Sequence, residues 1–68
     1  MSDIEVILDG EGEIFPGFTT LGRIKTGNDF GTLLQSDKTG CFLMYRDRVF
    51  KRLDSRKVLD KMSEVLFK

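Results

Sequence analysis

Apolar and polar positions alternate along most of the chain and then change period. Ile4, Val6 and Leu8 are spaced by Glu5 and Ile7, the two-residue period of a strand over 4–8. Asp9-Gly10-Glu11-Gly12 is turn chemistry, and Pro16-Gly17 is a second break. Phe18 to Lys25 has extended character through Thr19, Thr20, Leu21 and Ile24. Thr26-Gly27-Asn28-Asp29 holds residues that accept positive φ, so it predicts a turn. Phe30 to Gln35 follows as a strand, with Phe30, Thr32 and Leu34 on one side. Ser36 to Gly40 has the length and late glycine of a hairpin loop. In Cys41 to Arg46 both faces are apolar, Cys41, Leu43 and Tyr45 on one and Phe42 and Met44 on the other, so both need covering. A tight turn near Asp47 leads to Val49–Leu53, where Phe50 and Arg52 share a side opposite Val49, Lys51 and Leu53.

Beyond residue 53 the period lengthens. Val58, Leu59, Met62, Val65 and Leu66 form one stripe of a helix, with Lys57, Asp60, Lys61 and Glu64 on its other side. Asp54 or Ser55 is the candidate N-cap. A helix this short does not persist alone, so the stripe predicts docking on the sheet, over one face of the strand at 41–46. The opposite face must close against curled-over early strands or a second copy of the chain. The expected fold is α+β: an antiparallel sheet of four to five strands, curled or barrel-like, packed on one C-terminal helix. Residues 1–68 are expected to form one domain, strand-rich over 1–53 and helical over about 55–67.

Size sharpens this picture. A chain of 68 residues buries a modest fraction of its surface, so its core has little margin and self-association would add to it. Cys41 is the lone cysteine, which forbids an internal disulfide and suits a reducing compartment. The opening Met1-Ser2-Asp3-Ile4-Glu5 is acidic where a secretion signal is basic, and the longest apolar run, Cys41 to Tyr45, is far short of a membrane span. A soluble cytoplasmic protein without membrane contact is expected.

Reactive chemistry is sparse. There is no His, so the commonest general base is missing. Cys41 falls in a strand expected to be buried, with no imidazole to activate it. Glu11 and Glu13 are paired carboxylates without an evident cleft to shift either pKa. Asp9, Glu11 and Glu13 have the spacing that opens an EF-hand loop, but Ile14 and Thr20 stand where that loop needs Gly and Glu. One Cys and no His exclude a zinc site. No glycine-rich stretch runs into a Lys and a helix, so no phosphate cradle is expected. The sequence therefore predicts no enzyme, no cofactor and no metal.

Charge is where the sequence becomes informative. The net charge is zero, yet residues 1–15 carry Asp3, Glu5, Asp9, Glu11 and Glu13 with no base. The bases concentrate later, in Arg46, Arg48, Lys51, Arg52, Arg56 and Lys57, interrupted by Asp47 and Asp54. Arg56 and Lys57 would fall in the first helical turn, where the helix dipole disfavours cations. Tyr45 lies beside this cluster, and Tyr with Arg is a common pairing at interfaces. These residues are the candidate partner-binding surface, with Phe50 added to it if that ring points outward.

The expected function is a small non-catalytic binding protein that occupies the surface of a protein partner, of regulatory, accessory or inhibitor type. Two other readings stay open. One is a nucleic-acid-binding domain using the basic 46–57 segment. The other is a homo-oligomeric structural subunit, a homodimer in its simplest form.

Overall fold

The computed structural model describes residues 4–67. Strands β1 (Ile4–Ile7), β2 (Phe18–Thr26), β3 (Asp29–Ser36), β4 (Phe42–Arg46) and β5 (Val49–Arg52) lie in chain order across one sheet, each antiparallel to its neighbour. Helix α1 (Ser55–Leu66) follows. This is an α+β fold, and its strands begin and end close to where the alternation put them. The sheet is open, with β1 and β5 as its two edges.

Register sorts the side chains between two faces. On the first, Val6 lies opposite Ile24 and Leu33 opposite Met44. With Phe42 and Val58 of α1 they form the aliphatic core, ringed by Ile4, Leu8, Leu21, Leu53 and Met62. Among the described residues no polar side chain is buried, so this core carries no desolvation penalty from an internal charge. On the second face Leu34 is fully buried, with Thr20 and Leu43 as its cross-strand partners.

Two backbone features shape the sheet. The β2–β3 register shifts between Thr20 and Gly22, a bulge that bends β2. Gly22 has φ +145°, and a Cβ there would collide with the carbonyl oxygen of Ile7. Only glycine lets the bent strand lie this close to β1. At the other end Asp47 (φ 50°) and Arg48 (φ 67°) form the two-residue turn joining β4 to β5. Both central residues in the left-handed region match the twist of a tight hairpin, but Asn-Gly is the usual choice there. Asp and Arg accept that geometry at a cost of about 1 kcal/mol or more per residue.

Helix α1 starts where its cap chemistry dictates. The Asp54 carboxylate accepts the backbone N–H of Arg56, and Phe67 N–H bonds the Ser63 carbonyl at the far end. The expected apolar stripe is only partly buried. Val58 is fully enclosed and Met62 packs against the core, but Leu59 is 51% exposed, and Val65 and Leu66 are also exposed. The reason is geometric. The helix backbone runs closest to β1, the sheet's edge, rather than centrally over β4. Val58 still reaches the cluster that holds Phe42 and Met44. Leu59 sits about 100° round the helix from Val58, beyond the line of contact.

Candidate functional site

The β4–β5 hairpin delivers the first part of the site. Tyr45 and Phe50 are direct cross-strand partners on the second face, with ring centroids 4.8 Å apart. Residues 9–17 pass over this face, held by the Thr20 hydroxyl donating to the Glu13 carbonyl at 2.7 Å. They insert Phe15, whose ring tilts against Tyr45 at 4.6 Å and meets Phe50 edge-on at 5.4 Å. Phe18, at the start of β2, stacks on Phe50 at 5.7 Å and 19°. Two strands separate β2 from β5, and in a flat sheet they would stand roughly 14 Å apart. The stacked pair therefore requires the sheet to curl toward this face, with the aromatic rings inside the curl on the same side as Leu34. Covering by the early part of the chain, as the apolar strand demanded, is thus supplied by Phe15 and Phe18.

The cluster is a half-open ridge rather than a sealed core. Phe50 is 44% exposed, which resolves its ambiguous position in the sequence: it packs on three rings and still shows a face to solvent. Two further apolar groups are exposed nearby. Ile14, next to Phe15 in the covering loop, is 88% exposed, and Phe30, on the same face as Leu34, is 64% exposed. A shallow groove of about 390 Å³ runs between Glu13, Arg23, Phe30, Thr32, Tyr45 and Arg46.

Around these rings the charges are of both signs. Arg46 pairs with Asp29 at 3.1 Å and Asp47 at 3.4 Å, and its guanidinium lies 5.3 Å from the Phe30 ring centroid. Arg23 pairs with Asp9 at 2.9 Å. That carboxylate also accepts the Glu11 backbone N–H at 3.0 Å, and this bond, aided by Arg23, holds the Asp9 pKa below its ordinary 3.8. The acidic 9–13 segment thus folds as a self-bonded turn. It neutralises Arg23 rather than the basic corner at 46–57.

The seven residues singled out by sequence separate into distinct groups. Tyr45 and Arg52 come together on the aromatic face, where Arg52 reaches the Cys41 Sγ at 3.5 Å. Lys51 lies opposite Met44 and shares a side of the sheet with the helix. Arg48 occupies the hairpin tip, while Arg56 and Lys57 are exposed on the first turn of α1. Arg46 is already engaged by two carboxylates. Arg48, Lys51, Arg52, Arg56 and Lys57 have no carboxylate partner among the described residues. Asp54 caps the helix instead of neutralising its neighbours.

Phe15, Phe18, Phe30 and Ile14 lie outside the surface expected from the sequence. Their signal is present but quiet: six Phe in so short a chain exceed what one small core can bury, and Ile14-Phe15 interrupts an otherwise polar stretch. No helix among the described residues is long and apolar enough to cross a membrane. No protein-family model, curated protein or solved structure matches the chain.

Proposed function

We propose that this chain is a small binding protein of regulatory, accessory or inhibitor type, which acts by covering part of a protein partner with its aromatic face. The observation that carries the reading is the exposure of Phe30 and Phe50 on one face of the sheet, with Ile14 exposed in the loop that covers it and arginines and carboxylates lining the groove beside Phe30. Apolar anchors set in a ring of mixed charge suit a protein surface: the rings supply desolvation and the ion-pairing groups supply orientation. A nucleic acid is a poorer fit to this face. Asp9, Glu13, Asp29 and Asp47 would meet its phosphates and offset the attraction of the arginines.

The test compares the wild-type chain with an Ile14→Asp/Phe30→Ala variant as bait in nuclease-treated native lysate. Both sites are exposed, so circular dichroism should be unchanged. The expected result is a defined protein captured by wild type and reduced at least about tenfold by the variant. Equal capture by both folded baits would refute the reading.

A second reading rests on a different observation, the five cations at 48–57 without carboxylate partners among the described residues. It makes the hairpin tip and helix start a polyanion site. Reversing Arg52 and Arg56 to Glu should then abolish a gel shift seen with DNA or RNA at low salt. No shift with either nucleic acid eliminates it.

A further inference from the structure

The two edges of the sheet are not equivalent. β5 carries Lys51 and Arg52 along its length, the usual protection against strand addition. β1 reads Ile-Glu-Val-Ile, with Glu5 as its single charge. Asp9, which could have guarded its end, is engaged by Arg23 and the Glu11 amide.

A groove of about 560 Å³ lies along β1, lined by Ile4, Glu5, Val6, Ile7 and, from α1 and its cap, Lys61, Glu64, Val65 and Phe67. Successive strand residues point to opposite faces. All four residues of β1 line the groove, so it follows the strand's open edge rather than either face. Ile7 is 50% exposed and Phe67 84% exposed beside it. The helix, seated over β1, brings its own apolar residues to that edge.

We propose that two copies of this chain join along β1, antiparallel and centred on Val6, into one continuous sheet. Three features favour a second copy as the occupant. A two-fold axis normal to the sheet keeps both helices on one side and sets residues of the same face opposite each other. Centred on Val6, it places Ile4 against the second copy's Leu8 and Glu5 against the second copy's Ile7. The registers on either side, centred on Glu5 and on Ile7, would instead set Glu5 against the second copy's Glu5 or Asp9, like charges in both cases, so the Val6 alignment is favoured. The groove is also self-complementary in charge. Lys61 and Glu64 pair within one chain at 3.2 Å, and the axis carries each toward the other's counterpart, giving reciprocal pairs across the joint. Finally, the joint covers Ile7, Val65 and Phe67, apolar surface that this small chain leaves in water. The interface lies at the far edge of the sheet from the β4–β5 hairpin, so the dimer would offer two copies of the aromatic face at once.

The full chain is measured by light scattering over a dilution series from about 1 mM to about 1 μM. The expected mass is twice 7.8 kDa at the upper end, falling to one chain on dilution. Hydrogen exchange at the Ile4–Ile7 amides should slow with rising concentration, which assigns the joint to β1 without any mutation. Lys61→Glu should weaken the dimer by roughly tenfold through like charges across the axis, and Lys61→Glu/Glu64→Lys should restore it. A single-chain mass at the highest concentration overturns the proposal. So does a dimer indifferent to Lys61→Glu in a variant of unchanged helicity. Open-ended growth would overturn it too, since that is the mark of β1 pairing head-to-tail with a cationic β5 edge.

Discussion

The two faces of the sheet are built from the same alternating strands but finished differently. The helix side is aliphatic and closed: Ile24, Leu33, Met44 and Val58 are buried, and among the described residues no polar side chain is enclosed with them. The other side is aromatic and ajar: Leu34 is fully buried on it, and Phe15, Phe18, Tyr45 and Phe50 pack together while Phe50 keeps a face in water. The difference separates stability from recognition. Aliphatic side chains fill a core closely and offer nothing to a partner once buried. Rings stacked on one another supply covering area and still present rigid, amphipathic edges for contact.

Deleting a group from each face should expose the contrast. Leu33→Ala opens a cavity in the closed side and should cost about 2–5 kcal/mol, lowering Tm by more than about 10 °C in thermal unfolding. Phe50→Ala removes a half-exposed ring whose partners can settle together. A loss of about 1–2 kcal/mol is expected, with capture of the protein partner falling far more than stability does. A Phe50→Ala chain as unstable as Leu33→Ala would erase the distinction between the faces.

The hairpin that links the faces should respond in the opposite direction. Arg48→Gly relieves a left-handed arginine in the turn and should stabilise the chain by about 1 kcal/mol in denaturant titration. A loss of binding at the same time would mean that the strained turn is retained to present that side chain. Leu59→Ala tests the helix stripe. Because Leu59 lies off the contact line, a change below about 1 kcal/mol is expected, against the larger loss a core leucine would show.

The smallest effect concerns the covering loop. Asp9 has a folded pKa below 3.8, so its contribution is present above the unfolded value and is lost as pH falls through the folded one. An NMR titration should place its carboxyl midpoint below that of a denatured reference. Arg23→Ala should move the midpoint only part of the way back, since the Glu11 amide is the larger cause.

Much of this architecture is legible in the amino-acid pattern. The alternations at 4–8, 30–35 and 41–46 define strands, the Pro16-Gly17 and Gly27-Asn28 breaks define turns, and Asp54 marks the helix start. Each is a local signal, set within a few residues by side-chain periodicity or backbone preference. The candidate surface is less legible. Tyr45 with Arg52 can be found because both lie in one hairpin. Phe15 and Phe18 escape such a reading because they reach Phe50 only through the curl of the sheet, more than thirty residues away along the chain.

By itself the sequence determined which stretches became strand or helix, which residues shared a face, and where cations outnumbered acids, because all of these follow from neighbours along the chain. Tertiary structure alone decided the rest. It set α1 over the edge strand and left Leu59 in water, and it engaged Arg46 with Asp29 and Asp47 while Arg48 and Arg52 found no carboxylate among the described residues. It also gathered four distant rings into one ridge. These outcomes depend on how far the sheet bends at its Gly22 bulge and where a short helix finds its best contact, which are properties of packing in three dimensions.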